Sequence, residues 1–84
     1  MIAAPTMEDL AQEYLVLRRQ LGYALHSTGQ QLLAFARYAD GLGHRGPITV
    51  ALAVRWARLP RGARPSWWAR RLQIVRGFAQ HRHL

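Results

Sequence analysis

The chain has 84 residues, half of them hydrophobic, and contains no cysteine. This length suits one small domain, the hydrophobic content favours a compact fold over disorder, and the lack of cysteine excludes a disulfide framework or a thiolate metal site. All twelve basic residues are arginine and only four residues are acidic, which gives a formal net charge of +8. No signal peptide and no apolar run of about 18 residues is apparent, so we expect a cytoplasmic protein without contact to a membrane.

The first helix is predicted over residues 7–21. Thr6, with Asp9 three residues later, predicts a capping box at its start, and Gly22 predicts its end. Tyr23 and Leu25, in the connection that follows, are expected to pack into the core. Apolar residues at spacings of three and four predict one buried stripe along the helix: Met7, Leu10, Tyr14, Leu17 and Leu21.

The second helix is predicted over residues 28–41, with Ser27 as its cap and Gln30 completing a capping-box pattern. The first turn of a helix offers free backbone N–H groups to an anion, which makes Thr28, Gln30 and Gln31 candidate phosphate contacts. An ordinary capped helix start is the alternative interpretation. The apolar face is predicted to contain Leu32, Phe35, Ala36, Ala39 and Leu42.

A run rich in glycine, residues 41–47, separates the second helix from a third over residues 50–58, which Thr49 is predicted to cap. Leu52, Ala53 and Trp56 are expected to face inward. The fourth helix is predicted over residues 65–81 with Pro65 in its first position, and residues 81–83 are expected to be frayed. At about 100° per residue, this helix has a wide apolar face and an opposite polar face. The apolar face contains Trp67, Trp68, Leu72, Ile74, Val75, Phe78 and Ala79, and the polar face contains Ser66, Arg70, Gln73, Arg76, Gly77 and Gln80.

Four helices joined by short loops predict an all-α fold, a small four-helix bundle in a single domain over residues 1–84. The charge is distributed unevenly along this fold. Residues 1–40 contain all four acids and three arginines, whereas residues 41–84 contain nine arginines and no acid. Such asymmetry is typical of proteins that bind a polyanion, most often nucleic acid. Codon bias with charge for solubility is the alternative, but bias explains arginine over lysine and not nine positive charges in a segment without an acid.

No catalytic or metal-binding pattern is visible. The four histidines lack the spacing of metal ligands, and the glycines are not followed by the Lys-Ser/Thr pair of a phosphate-binding loop. The acids are too few and too local to form a catalytic pair with a distant partner. We therefore expect no catalysis, no metal and no cofactor from these residues.

Several ordered segments resemble the N-terminal core-binding domain of tyrosine recombinases, the phage-type integrases. They are YLVLRRQLGY at 14–23, Ser27-Thr28, LLAF at 32–35, Ile48-Thr49, AVRWA at 53–57 and ARRLQIVRGFA at 69–79. The resemblance implies a SAM-like four-helix bundle that clamps double-stranded DNA, with the C-terminal catalytic domain of the same recombinase and other recombinase subunits as partners. It also implies association with the nucleoid when DNA is bound. The catalytic residues of that family have no match within these 84 residues.

In the family, the second and fourth helices of this module approach DNA. The resemblance therefore implies DNA contacts from Thr28, Gln30, Gln31, Ser66, Arg70 and Gln73, with Arg76 and Arg37 as further candidates. A helical protein–protein interaction module without specific DNA binding is the alternative, and it would use exposed tryptophans to dock a partner helix. A basic helix on a membrane surface is a third hypothesis.

Arg71 and the tryptophans require separate interpretation. Arg71 projects toward the apolar face of the fourth helix, where it is expected to reach solvent along the aromatic rings, to stack on Trp67, or to pair with Glu8, Asp9 or Glu13. Because burial of an unpaired guanidinium is costly, a structural role is favoured over a DNA contact. Core packing is expected for at least two of the three tryptophans, with base stacking as the alternative. The loop residues Arg45, Arg61 and Arg64 are expected to contact phosphates or solvent.

Overall fold

A computed structural model describes residues 5–22 and 26–83, excluding the side chain of His83. The described residues form four α-helices and no strand, which confirms the predicted all-α class. The helices are α1 (Met7–Gln20), α2 (His26–Gly41), α3 (Val50–Ala57) and α4 (Pro65–His83). The predicted core positions Tyr23 and Leu25 lie outside the described residues.

The chain divides into two compact units, Met1–Arg45 and Gly46–Leu84. We call them the α1–α2 unit and the α3–α4 unit, because in each of them two consecutive helices pack against each other. In the part of the chain that the structure describes, no helix is both long and apolar enough to cross a bilayer.

Two networks of hydrogen bonds hold the start of α1. In the predicted capping box, the Thr6 hydroxyl accepts from the Asp9 backbone N–H at 3.1 Å and the Asp9 carboxylate accepts from the Thr6 N–H at 3.1 Å. In addition, the carboxylate of Asp40, near the end of α2, accepts from the N–H groups of Met7 at 2.9 Å and Glu8 at 3.0 Å. These donors have no partner within the helix, so Asp40 completes the cap of α1 and joins the two helices.

The core of the α1–α2 unit differs from the predicted stripe on α1. Burial follows an i, i+4 row of Met7, Ala11 and Leu15, whereas Leu10 and Tyr14 are only half-buried. The prediction is wrong for Leu17 and Leu21, which are 40% and 64% exposed. On a helix of 3.6 residues per turn, Leu17 lies about 120° from the centre of the buried row. Leu21 lies beyond the last residue of α1.

The predicted apolar face of α2 is confirmed, apart from Leu42, which follows the helix and is 52% exposed. Its buried residues are Gly29, Leu32, Phe35, Ala36 and Ala39.

The predicted end of α1 is confirmed, whereas the predicted cap at the start of α2 is wrong. Gly22 follows α1 with φ +93° and donates its N–H to the Arg19 carbonyl at 3.0 Å, which confirms it as the helix stop. The prediction of Ser27 as the cap of α2 is wrong, because the helix begins at His26 and both Ser27 and Thr28 lie within it.

In the α3–α4 unit, the Thr49 hydroxyl accepts from the Leu52 N–H at 3.1 Å, which confirms Thr49 as the cap of α3. Pro65 begins α4, as predicted, and the helix continues to His83, two residues beyond the predicted end. Arg82 near this end is exposed to solvent, as expected. The core of the unit comes from one face of each helix. The residues that it buries are Leu52, Ala53, Trp56 and Ala57 on α3, and Arg71, Val75 and Phe78 on α4.

The aromatic end of α4 is more exposed than predicted. Trp67 is 39% exposed, and Trp68 is half-buried with its indole N–H donating to the Pro60 carbonyl at 3.1 Å. Of the three tryptophans, only Trp56 is a fully buried core residue, at 2% exposure. The expectation that at least two tryptophans serve core packing therefore holds fully for Trp56 and partly for Trp68.

The Asp40 cap generates a stability prediction. Replacement of Asp40 with Ala removes an ionised acceptor from two backbone donors, so we expect the free energy of unfolding to fall by about 2 kcal/mol. Urea unfolding followed by far-UV circular dichroism measures this change. The control is Glu13→Ala, which removes the same charge from an exposed position on α1. Equal effects of the two substitutions would show that net charge, and not the cap, accounts for the loss.

Candidate nucleic-acid interface

The two units carry very different charge. The α1–α2 unit contains four arginines and all four acids, whereas the α3–α4 unit contains eight arginines and no acid. The charges of the α1–α2 unit cancel, so the α3–α4 unit carries the whole formal net charge of +8. Seven of these eight arginines are exposed: Arg55, Arg58, Arg61, Arg64, Arg70, Arg76 and Arg82.

In the α1–α2 unit, acids already engage two of the arginines. Arg37 donates from Nε to the Glu8 carboxylate at 3.0 Å, and an Arg45 guanidinium nitrogen lies 3.5 Å from the Asp40 carboxylate. Arg45 also donates to the His44 carbonyl at 3.2 Å. These arginines remain exposed, but their charge is partly neutralised where they sit. The excess positive charge available to a polyanion therefore belongs to the α3–α4 unit.

The polar face of α4 is the most continuous candidate surface. Ser66, Arg70, Gln73 and Arg76 are all exposed. They lie within one arc of the helix, opposite the buried Arg71, Val75 and Phe78. The eleven residues from Ser66 to Arg76 span about 15 Å along the helix axis. The face therefore presents two guanidinium groups, one amide and one hydroxyl to solvent over about three helical turns.

The candidate residues on α2 do not form one comparable surface. Gln30 and Arg37 are exposed and lie two turns apart on the same side, but Arg37 is paired with Glu8. Thr28 is half-buried and lies about 160° around the helix from Gln30, toward the core. Gln31 is also half-buried. The predicted group at the start of α2 is therefore divided between the two sides of the helix.

Arg71 is buried in the α3–α4 unit, at 8% exposure. Its guanidinium carbon lies 3.7 Å from the centroid of the Trp56 ring, so the two groups stack closely. The prediction of stacking is correct in kind but wrong in partner, because the ring is Trp56 and not Trp67. No ion pair with Glu8, Asp9 or Glu13 occurs among the described residues.

The Arg71 guanidinium is also incompletely hydrogen-bonded. Its Nε has no hydrogen-bond partner within the described part of the chain. Burial lowers the pKa of Arg71 below its ordinary value, because desolvation disfavours the charged form. Arg71 therefore belongs to the core of the unit, where the ring of Trp56 is its principal partner, and not to the exposed arginine surface.

The loop before α4 is attached to that helix through Trp68. The indole N–H of Trp68 bonds to the Pro60 carbonyl, and the Arg58 guanidinium lies 5.4 Å from the centroid of its ring. These contacts hold a loop in which Arg61 and Arg64 are exposed. The loop therefore adds positive charge beside the start of α4. Among the described residues, no group of three His, Asp or Glu side chains is arranged to hold a metal ion.

Comparison with known proteins connects this arginine-rich helical chain with recombinases. Over 77 residues it is 42% identical to a protein of Sinorhizobium fredii described as "Putative integrase/recombinase y4rB". The alignment covers 92% of this chain but 24% of that relative, so the chain spans about a quarter of the relative's length. The similarity supports a relationship to the integrase/recombinase family. No family model and no solved structure matches the chain.

The stacked pair generates a prediction about stability. Replacement of Arg71 with Ala removes both the stack on Trp56 and the aliphatic packing, so we expect unfolding free energy to fall by about 2–3 kcal/mol. Arg71→Met keeps most of the volume and removes a buried, incompletely bonded charge, so we expect a change below about 1 kcal/mol. All three tryptophans lie in the α3–α4 unit, so tryptophan fluorescence during urea unfolding reports on that unit.

The exposed neighbour Arg70 provides the control for this prediction. Arg70→Ala removes the same charge from the solvent-facing side of α4, where we expect a change within about 0.5 kcal/mol. If Arg71→Met destabilises the protein as much as Arg71→Ala, the charge of Arg71 has an essential partner and packing does not explain the site.

Proposed function

We propose that the chain is a duplex-DNA-binding module of a site-specific tyrosine recombinase. In this proposal residues 1–84 form a single SAM-like core-binding domain, and the module clamps DNA for a catalytic domain outside these residues. The similarity to an integrase/recombinase supports the class of protein. The concentration of eight arginines and no acid in the α3–α4 unit is the observation that carries the proposed binding of DNA.

The physical basis of binding is release of counterions from DNA. Each arginine that neutralises a phosphate releases counterions, which favours association and makes the affinity sensitive to salt. Guanidinium groups also form paired hydrogen bonds with phosphate oxygens, which orient the protein on the duplex. The α3–α4 unit contains no Asp or Glu, so no acidic side chain of the same unit competes with DNA for these guanidinium groups.

The polar face of α4 is the proposed centre of contact. Arg70 and Arg76 supply charge, while Ser66 and Gln73 supply a hydroxyl and an amide of the kinds that bond to phosphates or base edges. On α2, Gln30 and Gln31 are proposed as secondary contacts. Thr28 and Arg37 contribute less, because Thr28 is turned toward the core and Arg37 is paired with Glu8.

We infer that this module does not catalyse strand cleavage by itself. The acids Asp9 and Asp40 accept backbone hydrogen bonds at the start of α1, and Glu8 pairs with Arg37. Their structural engagement supports a positioning role for the chain. Cleavage would then belong to another part of the recombinase.

Duplex binding is expected to weaken steeply as salt rises. If four exposed arginines contact phosphates, the logarithm of the association constant falls with a slope of about −3.6 against the logarithm of salt, which is about a hundredfold between roughly 50 and 200 mM. Fluorescence anisotropy with a labelled duplex of about 20 base pairs, a length near that of a small binding site, measures the slope. A flat dependence or absent binding would favour the alternative, a protein–protein module without specific DNA binding.

Replacement of single arginines tests which of the two units contributes to DNA binding. Arg76→Ala is expected to reduce the magnitude of the salt slope by about 0.9, as for loss of one phosphate contact. Arg37→Ala removes an equal charge that Glu8 already neutralises, so we expect a smaller change. The same anisotropy titration compares the variants. Equal slopes for both would contradict the assignment of DNA binding to the α3–α4 unit.

A further inference from the structure

An open groove lies between α3 and α4, within a single unit of the chain. It has a volume of about 410 Å³. Its apolar lining is formed mainly by Ile48, Val50, Val54, Leu72, Val75 and Ala79. The buried Ala53 and Val75 form the floor, and Val50 at the mouth is 81% exposed. An apolar groove of this volume that remains open to solvent is typical of a binding site.

The rim of the groove is polar and positively charged. Gln73 and Arg76 line its edge and are exposed to solvent. The unit contains no Asp or Glu, so no acidic side chain of the unit itself neutralises Arg76. A ligand that fits the groove must therefore combine an apolar surface for the floor with negative charge for the rim.

We propose that this groove binds an acidic amphipathic helix of a protein partner. Apolar side chains at positions i, i+3, i+4 and i+7 of such a helix would fill the groove, as in other helix-in-groove complexes. Glutamate or aspartate beside them would pair with Arg76 and bond to the Gln73 amide. The α3–α4 unit of a second copy fits poorly, because it also carries eight arginines and no acidic side chain and would be repelled.

The groove shares its rim with the surface proposed for DNA. Gln73 and Arg76 belong both to the polar face of α4 and to the edge of the groove. A bound acidic helix would neutralise Arg76 and occupy part of the approach to that face. The partner helix and the DNA duplex are therefore expected to weaken each other's binding. Binding of the helix in the groove does not itself require that the chain binds DNA.

Direct binding of a designed peptide tests the proposal without DNA. The probe is a fluorescein-labelled peptide of about 18 residues, long enough to form a helix, with leucine at the four apolar positions and glutamate beside them. A scrambled peptide of identical composition controls for charge alone. We expect the amphipathic peptide to bind about tenfold more tightly, since its leucines become buried together.

Two valines on the protein give a matched pair of variants. Val50→Asp places a charge at the mouth of the groove, whereas Val16→Asp makes the same change at an exposed position on α1, which is 51% exposed. Both sites are exposed enough for the fold to tolerate aspartate, and circular dichroism verifies this. We expect Val50→Asp to weaken peptide binding by about tenfold or more and Val16→Asp to leave it nearly unchanged.

Several outcomes would overturn the proposal. Equal affinity for the amphipathic and scrambled peptides would show attraction by charge alone, and equal effects of the two valine substitutions would place the peptide elsewhere. Concentration-dependent self-association that Val50→Asp abolishes would make a second copy the occupant instead. A DNA titration of Val50→Asp in parallel separates the two functions, because loss of the groove without loss of DNA binding leaves the proposed recombinase role intact.

Discussion

The distribution of carboxylates is the constraint on which the rest of the structure depends. All four acids lie in the α1–α2 unit, where Asp9 accepts from the N–H of the cap residue Thr6, Asp40 accepts from the first two N–H groups of α1, and Glu8 engages Arg37. None lies in the α3–α4 unit, which carries eight arginines and no Asp or Glu. Such groups remain in water, stack on aromatic rings, or meet an anion from outside the chain.

Within the α3–α4 unit, some arginines stack on aromatic rings and the others remain in water. Arg71 stacks on Trp56 inside the core, and the Arg58 guanidinium lies 5.4 Å from the centroid of the half-buried Trp68 ring. The remaining arginines stay at the surface, with Arg70 and Arg76 on the polar face of α4. The same residues that leave this unit electrostatically unbalanced therefore define the surface and the groove rim that we propose as binding sites.

Local sequence signals predicted the helices well, whereas contacts between helices were not predictable from them. The capping residues Thr6 and Thr49 and the stop at Gly22 act within a few residues, so their patterns are visible in the sequence. The cap from Asp40 and the stack of Arg71 on Trp56 join different helices. Their partners depend on packing. The polar face of α4 followed from periodicity alone. The same periodicity separates Thr28 from Gln30, because residues two apart on a helix lie about 160° apart around its axis.

The central claim is that the α3–α4 unit is the surface that meets DNA. Titration of the isotopically labelled chain with a duplex, followed by NMR shifts of backbone amides and arginine Nε–H groups, tests it most directly. The account predicts that the largest shifts cluster on Arg70, Gln73, Arg76 and the loop at residues 58–64, with small shifts along α1. Shifts of equal size across both units, or a cluster on α1, would contradict it.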